Sequence, residues 1–194
     1  MPRKKGRAVK NYQALACKLL KDIFGECNVK KEWDVAKESE DDLTRDSYCP
    51  RVDVAVGPFN LTRNGNNLRQ IDEMIEQRRG FLKKLFEFSE IHSLVSRELG
   101  FEKFLNIRNE NPRCLLAIEI ENSGSSKHML GNIANVSILG AIGVVIPFND
   151  TKLKLCKRIK KYLKHAIIVK KIPKDIFRNV IIIEKNNFKK AFRN

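Results

Sequence analysis

Glu119 and Glu121 interrupt an apolar run, Leu115-Leu116-Ala117-Ile118-Glu119-Ile120-Glu121, at a spacing of two. In a β-strand that spacing projects both carboxylates from one face, while Ile118 and Ile120 occupy the other. Carboxylates held this close repel each other, and a stable fold needs a cation to offset the repulsion. Ligands made only of oxygen favour Mg²⁺ or Mn²⁺ over zinc. Asp53 has the same setting in Arg51-Val52-Asp53-Val54-Ala55-Val56, an acid among alternating apolar residues, and is the natural third ligand. The plain alternative is a solvated sheet face. Against it, Ala117, Glu119 and Glu121 include none of the lysine or threonine usual on an exposed face. The expected metal ligands are therefore Asp53, Glu119 and Glu121.

Positioning these acids requires strands from distant parts of the chain. Residues 11–24 carry Leu15, Leu19, Leu20, Ile23 and Phe24 at helical spacing before Gly25, which predicts a helix. Residues 26–46 are polar and rich in acids, and read as strand fragments and loop. Glu26, Glu32 and Asp34 are each possible further acids for the site, and the sequence does not choose among them. A strand is expected over Tyr48–Val56, stopped by Gly57-Pro58. Residues 60–107 return to helical spacing, with two or three helices broken near Gly80 or Ser89 and ended by Gly100. This segment reads as a helical insertion between two core strands. Cys114–Glu121 forms the next strand, followed by a helix over about 126–139 and an apolar strand over 142–146. Strand, helix and strand in this order make a right-handed βαβ unit. A further helix over 150–166 and strand candidates at 166–172 and 179–184 complete the chain. The expected fold class is α/β, a mixed central sheet flanked by helices with a helical insertion, in one domain over residues 1–194.

The charge balance narrows the partners. The chain has 194 residues, 38 Lys and Arg against 23 Asp and Glu, a formal net charge of +15 and a pI near 9.7. Such an excess attracts polyanions, nucleic acid before an acidic membrane. Residues 1–10 look like a basic arm. Residues 151–194 carry fifteen Lys or Arg and two acids, Asp175 and Glu184. They form a basic C-terminal segment from about residue 150 and could track phosphates, though a solvated helix face is the plain alternative. The five cysteines are odd in number and contain no CxxC pair, so neither a disulfide framework nor a zinc site is expected. No secretory leader or transmembrane run is evident, and a cytoplasmic location with no membrane partner is expected.

Val52-Asp53-Val54-Ala55-Val56, followed by Ile118-Glu119-Ile120-Glu121-Asn122-Ser123-Gly124-Ser125, resembles the PD-(D/E)xK nuclease superfamily. The nearest likeness is to the small catalytic subunits of heterodimeric type IIS restriction endonucleases, over roughly residues 10–150. The resemblance implies a restriction-endonuclease-like core and Mg²⁺-dependent hydrolysis of DNA phosphodiesters, with Mn²⁺ a possible substitute. It also implies catalytic roles for Asp53, Glu119 and Glu121. The family's lysine, two residues after the second acid, is replaced here by Glu121. Lys127, near the start of the next helix, is a candidate stand-in, and a plain surface lysine is the alternative. His128, Asn132 and Asn135 form a polar stripe that could meet DNA or simply face solvent.

No zinc finger or helix-turn-helix is evident for reading sequence. The resemblance accordingly implies double-stranded DNA as substrate and a larger DNA-recognition and nicking subunit as partner in a heterodimer. Two other readings remain open at this point. One is a homodimeric repair nuclease or junction resolvase on the same core. The other is a non-catalytic basic nucleic-acid-binding protein.

Overall fold

The computed structural model describes residues 6–35, 50–59, 66–94 and 99–193. Helix α1 spans Arg7–Phe24, so Arg7 to Lys10 form its first turn. Val9, Tyr12, Ala16, Cys17, Leu20 and Phe24 recur three or four residues apart, and all are buried. A 3₁₀ turn, Glu26–Asn28, leads into β1, Val29–Asp34, and β2 follows at Arg51–Val56. The helical insertion consists of α2 (Asn66–Gln77), α3 (Arg79–Glu87) and α4 (Phe101–Asn106). Then come β3 (Cys114–Glu121), α5 (Ser126–Leu139), β4 (Gly140–Pro147) and α6 (Asp150–Ile168). The chain closes with β5 (Val180–Ile182) and α7 (Lys185–Lys190).

The five strands form one mixed sheet in the order β1-β2-β3-β4-β5. The β1–β2 and β2–β3 pairs are antiparallel; β3–β4 and β4–β5 are parallel. Alternation along the strands divides the core in two. Val54, Val56, Leu116, Ile118 and Ile120 pack with α1, the insertion helices and α7. Ala55, Ala117 and Val145 face Met129, Ile133 and Val136 of α5 and Leu155, Cys156 and Ile159 of α6. Both faces of β3 and β4 are covered, which is why every residue of either strand is buried.

Close approach fixes the turn from α5 into β4. Gly140 caps α5 and begins β4. A methyl group built on it would lie 2.5 Å from the Ile142 carbonyl oxygen and 2.8 Å from the Ala117 nitrogen. Only glycine allows the backbones to meet this tightly.

Several expectations need correction. The segment 166–172 is not a strand. Helix α6 continues to Ile168, Val169 caps it, and Lys170 turns away at φ 56°. Gly100 does not end a helix but stands just before α4. Within the insertion, Ile91 forms an isolated antiparallel bridge with Ile182 of β5. The gap between α2 and α3 falls at Arg78, leaving Gly80 inside α3. Tyr48 and Cys49, expected at the start of β2, lie outside the described residues, as do residues 1–5 of the basic arm.

Candidate active site

Asp53 and Glu119 come from neighbouring strands at the point where those strands part. The β2–β3 ladder pairs Val56 with Leu116, Ala55 with Ala117 and Val54 with Ile118, and then stops. Both strands continue. β2 remains paired with β1 as far as Arg51, and β3 with β4 as far as Glu121. The sheet therefore splits between β2 and β3 where Asp53 and Glu119 would have been the next pair. Past the split, the Ile120 N–H has no carbonyl of β2 to meet, and it donates to Asp53 Oδ2 at 2.9 Å. The carboxylate takes the place of a ladder bond and is fixed by it.

All three expected acids are withdrawn from solvent: Asp53 is 4%, Glu119 6% and Glu121 1% exposed. Their strand faces account for this. Glu119 alternates with Ala117, which packs on the α5–α6 side, and Asp53 lies between Val52 and Val54, both fully buried. Glu121 has separate commitments. One of its oxygens accepts from the Ser123 N–H, and Oε2 accepts from Asn132 Nδ2 at 2.7 Å. It thus ties the end of β3 to the β3–α5 loop and to the second turn of α5. Ser125 caps that helix, its Oγ accepting from the His128 N–H at 3.5 Å.

Two residues lie on the far side of Asp53: Gln13, not identified from sequence, and Glu32, one of the three upstream acids left open. Gln13, 1% exposed on α1, donates from Nε2 to the Asp53 carbonyl at 2.8 Å and to Glu32 Oε1 at 2.7 Å. It occupies a core position of the helix, four residues after Val9 and three before Ala16, and a polar residue at such a position was a readable signal. Glu32 sits between Lys31 and Trp33, which pair with Val54 and Val52, so it stands opposite Asp53. Its φ is 51°, the left-handed region that a non-glycine residue avoids in a strand. Arg51 Nη2 lies 3.6 Å from Glu32 Oε2. Of the upstream acids considered, Glu32 stands opposite Asp53, Asp34 pairs in register with Arg51, and Glu26 pairs with Lys21.

The other sequence candidates are placed as follows. Lys127 is exposed in the first turn of α5, and His128 beside it is exposed as well. Asn132, read as a possible DNA contact, is engaged by Glu121. Asn135 is half-buried one turn further along.

Among the described residues no group of three His, Cys, Asp or Glu side chains is set to hold a metal ion. The donor chemistry nonetheless fits a small hard cation. Mg²⁺ needs only one or two protein carboxylates beside water and substrate phosphate. Asp53 and Glu119 supply two buried carboxylates at the split, whereas Glu121 is turned to the helix entry.

The chain matches no protein-family model, no curated protein and no solved structure. No helix among the described residues is long and apolar enough to cross a membrane.

Proposed function

We propose that the chain is a metal-dependent endonuclease hydrolysing DNA phosphodiesters, with Asp53 and Glu119 as its central carboxylates. The observation that carries this reading is the split between β2 and β3, which leaves two buried carboxylates side by side at a break in hydrogen bonding. The order of elements supports it too. A helix, three antiparallel strands, a crossover helix and a parallel strand follow the arrangement implied by the resemblance to PD-(D/E)xK nucleases. A formal charge of +15 suits a polyanionic substrate.

In this reading the chain's own groups do the positioning. Asp53 is aimed by the Ile120 N–H on its carboxylate and by Gln13 on its carbonyl. Burial of Asp53 and Glu119 keeps competing water from the charged oxygens and strengthens their attraction for a cation. Glu121 holds the β3–α5 loop through the Ser123 N–H and Asn132. A divalent ion held by Asp53 and Glu119 would lower the pKa of bound water and stabilise charge on the phosphoryl oxygens. Lys127, on the exposed rim of α5, would contact the phosphate backbone from outside.

The structure offers no helix-turn-helix or zinc module among the described residues for reading base edges. We therefore assign sequence recognition to a larger partner subunit, with this chain cutting one strand. The test is plasmid cleavage in Mg²⁺ by the chain alone and with the partner. Nicking that needs Asp53 and Glu119 is expected, and becomes site-specific only with the partner. Absence of any metal-dependent cleavage in both settings would refute the nuclease reading. Specific double-strand cleavage by the chain alone would refute the partner assignment.

A further inference from the structure

Because β3 and β4 are parallel, the entries to α5 and α6 lie at the same end of the sheet. Glu121 pairs with Pro147 there, and the Phe148 N–H donates to the Glu121 carbonyl at 2.9 Å. Lys152 belongs to the first turn of α6 and reaches across this seam. A methyl group built on Gly124 would stand 3.9 Å from its Nζ. Helical spacing explains the direction. Lys152 is four residues before Cys156 and seven before Ile159, both buried, so it shares the stripe of α6 that faces the sheet. Lys154, Lys157 and Lys161 are exposed and point elsewhere.

Lys152 is half-buried, yet it forms no ion pair with any described acid. The arginines of other elements are treated differently: Arg69, Arg79, Arg108 and Arg178 each meet a carboxylate. The Lys152 stem lies along the buried stripe of α6 while the ammonium has no acidic partner among the described residues, which leaves the charge open to an anion. Here the ammonium is held beside the loop that follows Glu119 and Glu121, with its own charge unspent.

We propose that Lys152 is the phosphate-contacting cation of the site, its ammonium meeting a non-bridging oxygen of the phosphodiester presented to Asp53 and Glu119. The fold thereby supplies from α6 the positive charge that position 121 lacks. The identity of the anion as a scissile phosphate rests on the nuclease reading; its capture by Lys152 does not. The interaction strengthens as negative charge gathers on the phosphoryl oxygens, so its effect falls on turnover more than on binding.

The experiment is amine footprinting of the whole chain by reductive methylation. A short DNA duplex is added in Ca²⁺, and peptides are read by mass spectrometry. Methylation of Lys152 should slow by about tenfold with duplex, as expected for an amine in direct phosphate contact, while exposed Lys83 and Lys103 on the insertion helices keep their rates. In parallel, K152Q should lower kcat for Mg²⁺-dependent cleavage about 100-fold with little change in KM. K152R should recover part of the loss, and K154Q should cleave at the wild-type rate. Equal methylation of Lys152 with and without duplex would overturn the inference, as would protection of Lys127 alone. A wild-type chain that cleaves, beside a K152Q variant that cleaves equally fast, would overturn it while leaving the nuclease reading intact. Protection of Lys152 in a chain that cuts nothing would uphold the anion contact and refute the nuclease reading.

Discussion

The backbone N–H of Ile120 lies between the two glutamates of β3 and donates to the carboxylate of Asp53, 67 residues earlier in the chain, at 2.9 Å. One bond thus sets the position of the acid on β2 relative to both acids on β3. It forms where the backbone ladder between the two strands gives out.

Replacing either central carboxylate should separate activity from stability. Asp53→Asn and Glu119→Gln should each lower Mg²⁺-dependent cleavage by about 100-fold or more. Removing one of two buried like charges relieves repulsion, so Tm should hold or rise slightly. Plasmid nicking and thermal melts on the same preparations check both. Full activity in either variant would remove that residue from the site.

Gln13 should matter beyond its distance from β3. Gln13→Leu keeps the apolar packing of α1 but removes the two hydrogen bonds that Gln13 gives to the Asp53 carbonyl and to Glu32. Each hydrogen bond of this kind contributes about 0.5–1.5 kcal/mol. Urea denaturation should show that loss, and cleavage should fall with it because Asp53 is no longer held on both sides. Gln13→Glu would add a fourth buried acid beside Asp53, Glu119 and Glu121, and is expected to be the more damaging change.

His92 should make the protein acid-sensitive. Its ring stacks on Phe86 with centroids 4.3 Å apart, and its Nε2 is buried without a hydrogen-bond partner. Burial, helped by the nearby charge of Lys160, lowers its pKa from the usual 6.5. The folded state then binds fewer protons than the unfolded state as pH falls below about 6.5. Stability contributed above that pH is lost below it, until the folded imidazole also takes up its proton. Denaturation at pH 7.5 and 5.5 should show a larger acid loss in the wild type than in His92→Phe. Equal losses would mean that other groups account for the whole slope.

Gly140→Ala should be among the costly single substitutions. The added methyl group would meet backbone atoms of Ile142 and Ala117, not the flexible end of a side chain. Strand β4 must shift against β3, at a cost of about 1–3 kcal/mol. Gly6→Ala, with nothing within 4 Å, is the matched control. A Gly140→Ala melt like the wild type would show that the turn between α5 and β4 can relax.

The central elements were legible because their residues alternate cleanly. In β3 and β2 the acids break an otherwise apolar pattern, and that break marks Asp53, Glu119 and Glu121 in the sequence itself. β1 was obscured because Glu32 adopts a left-handed conformation and its neighbours Lys30 and Lys31 are polar. The expected strand at 166–172 failed for a different reason. Ala166-Ile167-Ile168-Val169 reads as a buried apolar run, but α6 carries on and leaves Ile168 77% exposed. Asn132 was noticed as polar but assigned to solvent or DNA, since nothing local announces its bond to Glu121. The split in the sheet is invisible to any local reading, because it depends on which strands pair and where they stop.

The long sequence separation of Asp53 from its donor also bears on the order of folding. Helices α1, α5 and α6 can begin from contacts a few residues apart, whereas closing β2 onto β3 must first overcome the entropy of a loop that includes the whole helical insertion. The short ladder of three residue pairs offers little hydrogen bonding in return. The two halves of the carboxylate cluster therefore meet late. A nascent or partly unfolded chain displays its basic surface before the carboxylates come together, so under the proposed nuclease function it would be drawn to nucleic acid before it could cut.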